Sequence, residues 1–290
     1  MTLTINLPGA GRRRLATLGV VAATVLLVTG CTTSPDERTG GAEPPSAHVH
    51  GVAIDPADGR VYVATHDGLL IYDETGATPV GPQIDLMGFA IAGPRHFYAS
   101  GHPGPGVDLP EPVGLIESTD GGVTWTQVSR QGESDFHTLT ASGSTIVGFD
   151  GAALLATSDG STWRELEVPV EPFALAGSPD GRILVATSQD GPVRSIDAGA
   201  SWVSLEAAPL LQVVAWAGVQ SVVGITPNGV VAFSEDGGES WTESSSLEAS
   251  PHAVGASMAA DGTLRILAVT DDGVLESVDR GANFAPLAAN

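Results

Sequence analysis

The sequence has no lysine. All twelve basic residues are arginine, set against 34 acidic ones, and the formal net charge is −22 over 290 residues. Phosphate backbones are held by clustered Lys and Arg, so nucleic acid is excluded as a partner. Anionic headgroups should repel such a chain. There is one cysteine, Cys31. A single thiol excludes an internal disulfide framework and a multi-cysteine zinc site. There is no P-loop, no Gly-rich dinucleotide fingerprint and no G-x-S-x-G elbow. What is present is a hydrophobic content of 42%, enough for a core, with 37 Gly and 20 Pro to make many turns. The length allows one large or two small domains.

The only long apolar run is Leu15 to Val28, fourteen residues behind Arg12, Arg13 and Arg14. It is short for a membrane span, which needs about 20 residues, and suits the apolar core of an export signal. It ends in Leu27-Val28-Thr29-Gly30-Cys31. This resembles a bacterial lipobox, in which the cysteine becomes the lipidated first residue. Arg12-Arg13-Arg14-Leu15 is also a partial match to a twin-Arg signal. Residues 1–30 are therefore expected to be a helical lipoprotein signal peptide. Cys31 is expected to attach the chain to the outer face of the cell membrane. Residues 31–47, polar and rich in Pro, Gly and Thr, are expected to be a disordered tether. Cleavage before Cys31 removes three Arg and takes the charge from −22 to −25.

The remainder repeats, and a repeat outranks local signals. The pattern S-x-D-x-G-x-[TS]-W occurs at Ser118-Thr119-Asp120-Gly121-Gly122-Val123-Thr124-Trp125. It recurs with Asp197 and Trp202, and with Asp236 and Trp241. Ser158-Asp159-Gly160-Ser161-Thr162-Trp163 is one residue shorter, and the unit with Asp279 and Phe284 is degenerate. Successive aromatic positions are 38, 39, 39 and 43 residues apart. These residues resemble the Asp-box, or bacterial neuraminidase, repeat of the sialidase-like superfamily. The physical role read from the residues is a hairpin turn. The Asp accepts backbone N–H bonds, the Gly takes positive φ, and the Trp starts the outer strand. No catalysis is assigned to them.

A second column sets the register: Val63-Ala64, Tyr98-Ala99, Val147-Gly148, Val185-Ala186, Val223-Gly224 and Leu267-Ala268. It defines six units starting near residues 48, 86, 135, 171, 210 and 250. Each has room for four short strands, and radially repeated four-stranded units close into a propeller. The expected fold is all-β, a six-bladed β-propeller over residues 48–290, with a seven-bladed ring sharing one blade between the termini as the alternative. The first unit has Tyr72-Asp73-Glu74-Thr75-Gly76 where the others have a box.

That register gathers unusual residues on the face opposite the boxes, here called the top. His48 and His50 open the first strand of unit one, and His66 ends its second. Met87 and His137 stand at the position of His50 in units two and three, His102 ends the second strand of unit two, and His252 opens unit six. Unit two also carries eleven extra residues on the top, including Asp108 and Glu111, and Asp135 lies just before unit three. Long loops on a rigid scaffold often carry function.

Three readings follow. The first is a metal site with His50, Met87 and His137 as ligands and His48, His66 or His102 beside them, a donor set suited to copper or zinc. Its bland counterpart is a polar mouth in which the imidazoles bond to loop carbonyls. The second is the sialidase-like exo-glycosidase that the repeat resemblance implies, with an Arg triad, a Tyr–Glu nucleophile and an Asp acid/base. Here only Arg130 falls in a top connection, and strong acidity opposes an anionic substrate. The third is a non-catalytic scaffold binding a surface protein or glycan, as in the photosystem II assembly/stability factor the repeat style resembles. Val107, Leu109, Val113 and Phe136 would then be its apolar anchor. The preferred expectation is a monomeric, lipid-anchored, ligand-binding propeller without catalysis, with metal as the ligand.

Overall fold

The computed structural model describes residues 48–287. The expected signal peptide, Cys31 and the tether lie outside the described residues. Within them the chain makes six antiparallel four-stranded sheets, each in simple sequence order. Blade one is β1 (Val49–Ile54), β2 (Val61–Thr65), β3 (Gly68–Asp73) and β4 (Gly76–Val80). Blade two is β5 (Ile84–Gly93), β6 (His96–Pro103), β7 (Leu115–Ser118) and β8 (Thr126–Ser129). Blade three is β9 (Thr138–Ser142), β10 (Thr145–Phe149), β11 (Leu154–Thr157) and β12 (Arg164–Leu166). Blade four is β13 (Ala174–Gly177), β14 (Leu184–Thr187), β15 (Val193–Ser195) and β16 (Val203–Ser204). Blade five is β17 (Val213–Trp216), β18 (Val222–Ile225), β19 (Val230–Ser234) and β20 (Thr242–Ser246). Blade six is β21 (Ala253–Met258), β22 (Leu264–Thr270), β23 (Gly273–Ser277) and β24 (Ala285–Pro286).

The innermost strands pack each on the next, and β21 packs on β1. The ring is thus closed by six blades, each built from one continuous stretch, and the seven-bladed alternative is set aside. Arg265 of β22 clasps this joint, donating to the Gly59 carbonyl of the β1–β2 turn at 2.7 Å while pairing with Glu276.

Burial explains the second sequence column. Every residue of β2, β14 and β18 is buried, whereas the short outer strands β16 and β24 are exposed. A second strand has a strand on either side and a blade against each face, so it reads as a continuous apolar run. The small residue in the column makes room. A Cβ on Gly148 would come within 2.6 Å of the Phe136 ring, and one on Gly224 within 2.6 Å of Leu211. Phe136 and Leu211 are fully buried plugs, each two residues ahead of an innermost strand.

The box turns lie between the third and fourth strands. In the first, Ser118 Oγ donates to Asp120 Oδ1 at 2.8 Å and accepts the Gly122 N–H. The two Asp120 oxygens take the N–H and the hydroxyl of Thr124. The same bonds recur around Asp197, Asp236 and Asp279, with the Asn283 amide replacing a hydroxyl in the last. In the short unit the hydroxyl bonded to Asp159 is that of Thr157, and the carboxylate caps the N–H groups of Ser161 and Thr162. The missing residue therefore falls between the Asp and the Trp.

Candidate functional site on the top face

Two innermost strands carry a β-bulge at the same place. In blade one the pairing skips from Val49 to Gly51, leaving His50 as the extra residue. In blade two it skips from Leu86 to Gly88, leaving Met87. A bulge re-aims one side chain, and bulges gather next to functional sites. The second bulge fixes its partner as well. Gly101 has φ +143°, and a Cβ there would stand 1.9 Å from the Asp85 carbonyl oxygen, so only glycine fits.

Five of the six top imidazoles divide into two groups, and the sixth, His252, meets Asp271 at 2.7 Å. In the first, His50 Nε2 lies 3.2 Å from His66 Nε2. Asp85 Oδ1, from β5, lies 2.8 Å from His66 Nδ1. One ligand atom each from His50, His66 and Asp85 falls within 4.8 Å of the others. His48 stands beside them, its ring centroid 5.5 Å from that of His66. Burial lowers the pKa of His50, and the neighbouring imidazoles of His66, His48 and His137 lower it further against the pull of Asp85. The neutral ring so favoured keeps a lone pair for a metal or a hydrogen.

In the second group Asp135 Oδ2 faces two rings, His137 Nε2 at 2.7 Å and His102 Nε2 at 3.0 Å. The other His102 nitrogen meets Glu111, from the inserted loop. Burial opposes charging of His102, but the Glu111 hydrogen bond and the charges of Asp135, Glu111 and Asp85 outweigh it and raise its pKa. With a carboxylate at each nitrogen it acts as a double donor. Asp135 Oδ1 is buried with no protein partner. Asp108 is exposed on the loop.

The expected trio is thus distributed. His50, Met87 and His137 all line one cavity of about 140 Å3 at the mouth of the ring, together with His252. His50 pairs most closely with His66, and His137 with Asp135. Asp85 was missed by sequence reasoning. In the structure Asp85 is the cross-strand partner of His102, a pairing that only the strand register reveals. The imagined apolar anchor is corrected, because Val113 and Phe136 are fully buried and Val107 and Leu109 pack on the core of blade two.

The features a sialidase would need are engaged elsewhere. Arg130 donates to Ser134 at 2.6 Å, faces Asp150 and stacks on Trp163. Tyr98 does pair with Glu117, at 2.9 Å, but in β6 and β7 beside His96. Burial and the Glu117 carboxylate push its hydroxyl up to about 12, the reverse of nucleophile activation.

No protein-family model and no curated protein matches the chain. Solved structures do resemble it in fold. A GH74 xyloglucanase from Xanthomonas campestris aligns with TM-score 0.60 and 18% identity over 84% of this chain and 38% of its own. The GH74 enzyme of Niastella koreensis gives 0.56 and 18% over the same shares. The extracellular domain of BT4673 from B. thetaiotaomicron gives 0.56 and 12% over 87% of this chain and 35% of its own. The chain spans well under half the length of these proteins, and the likeness is one of architecture alone: a β-propeller.

Proposed function

We propose that the protein is an Asp-box propeller, held outside the cell by a lipid on Cys31, that binds zinc or copper at His50 and His66 on its top face. One observation carries the metal reading. Two imidazole nitrogens bound at roughly 2.0–2.1 Å to one tetrahedral ion are separated by about 3.3 Å, and the two Nε2 atoms lie 3.2 Å apart. Asp85 either supplies a third donor or fixes the His66 ring through Nδ1, as carboxylates behind metal-bound histidines do. His48 and Met87 stand in reserve at the rim. A site with two or three protein donors leaves a position open for an outside ligand. Strong net negative charge draws cations and keeps the domain off an acidic membrane surface.

A glycosidase is the weaker reading. The carboxylates of Asp85, Glu111 and Asp135 each face an imidazole, and likeness of fold does not transfer activity. Calorimetric titration of the metal-free chain with zinc, and separately with copper(II), tests the proposal. One equivalent should bind, and His66→Ala should abolish it. Equal weak uptake by both proteins would reduce the pair to an imidazole–imidazole hydrogen bond. A shift in apparent size on globomycin treatment of producing cells tests the lipid anchor.

A further inference from the structure

The mouth has two chemistries. Blades one to three supply imidazoles and carboxylates. Blades four to six supply mainly apolar side chains, with His252 among them. Phe173, Val213 and His252 line the mouth cavity and also a second cavity of about 500 Å3, which Leu210 and Pro227 line as well. The two spaces therefore share a wall, and the second has the size of a small-molecule site, about 300–1,000 Å3.

Exposure singles this pocket out. Phe173 is 56% and Leu210 49% exposed. The other large apolar side chains exposed among the described residues lie elsewhere: Val123, Ile196 and Val278 in box turns, Val203 in β16 and Val219 in the β17–β18 turn. Phe173 and Leu210 converge on one concavity. Of its polar wall residues, Gln212, Ser188 and His252 have partners, and Gln189 is exposed. Gln212 donates from Nε2 to the Pro251 carbonyl at 2.7 Å, and its backbone carbonyl accepts the Thr187 hydroxyl. Ser188 donates to the Gly191 carbonyl at 2.7 Å. No carboxylate or Arg lines the pocket, and His252 is held by Asp271 at 2.7 Å.

We propose that this pocket holds the apolar body of a small ligand whose nitrogen donor crosses the mouth cavity to the open position of the metal at His50 and His66. The inference rests on the metal reading above. The ligand class is an aryl- or alkyl-substituted nitrogen base that coordinates through a neutral nitrogen. A carboxylate head is disfavoured, because the net charge is −22.

The test is calorimetric titration of the zinc-loaded full chain with imidazole and with 4-phenylimidazole, repeated on Phe173→Ser and Leu210→Ser. Burial of the phenyl ring should make 4-phenylimidazole bind about tenfold or more tightly than imidazole. Either variant should shrink that preference several-fold while zinc affinity stays unchanged, which also certifies that the variant is folded. Zinc binding with no preference for the phenyl compound, or a preference that both variants retain, overturns the pocket and leaves the metal site standing. Failure to bind zinc overturns both.

Discussion

Asp85 is the residue on which the candidate site turns. It comes from a different blade than the two histidines it serves, and its carboxylate fixes which nitrogen of His66 carries hydrogen. Carboxylates in that role change metal affinity by about 10–100-fold when removed. Asp85→Asn should therefore weaken zinc binding by about that factor while thermal stability moves little, since the residue is partly solvated. Calorimetry beside a melting curve separates the two effects. An unchanged affinity would mean that His50 and His66 hold the ion without it. His50 itself was legible from sequence, because its place in the repeat could be counted. Asp85 was not, because an acidic residue in an acidic chain has no distinguishing pattern until a fold brings it to an imidazole.

At the scale of the element, the box turn is the repeated device. The Asp carboxylates are held well below the ordinary range near 3.8, to about 2 at Asp120, Asp197, Asp236 and Asp279. The side chains of Thr124, Ser201 and Asn283 are the leading cause at Asp120, Asp197 and Asp279. At Asp236 burial opposes the shift, and the Ser240 hydroxyl and N–H override it. A carboxyl depressed in the folded state contributes stability that is present above its unfolded value and lost as pH falls through the folded one. The melting temperature should thus drop steeply between about pH 4 and pH 2, and Asp197→Asn should flatten that drop. A flat profile over this window would show that the turns do not couple to global stability. The turn was readable from S-x-D-x-G-x-[TS]-W alone, even in the degenerate unit at Asp279. The short unit was readable as a turn but not in its register, because Thr157 and Ser158 both offer a hydroxyl and only the backbone path selects Thr157.

At the scale of the whole molecule, closure decides stability. Each blade is incomplete without its neighbours, and β21 meets β1 without a shared strand to lock them. Arg265 is the polar clasp there, and hydrogen bonds to a charged group are worth about 1.5–3 kcal/mol. Its side chain is partly exposed, so Arg265→Ala should cost about 1 kcal/mol, read as a lower urea midpoint with an unchanged slope. A loss of slope would indicate instead that the ring opens before it unfolds. The repeat units, the box turns and the placement of six of the seven histidines on one face were determined by the sequence, because a period of about forty residues fixes strand order and strand order fixes which end each residue occupies. The tertiary structure decided the rest: that the ring closes at six, that His50 turns to His66 rather than to Met87 or His137, and that Phe136 is core. Those outcomes depend on two bulges, on the twist between blades and on how much space a neighbour leaves, and none of these is written in a residue's own type or spacing.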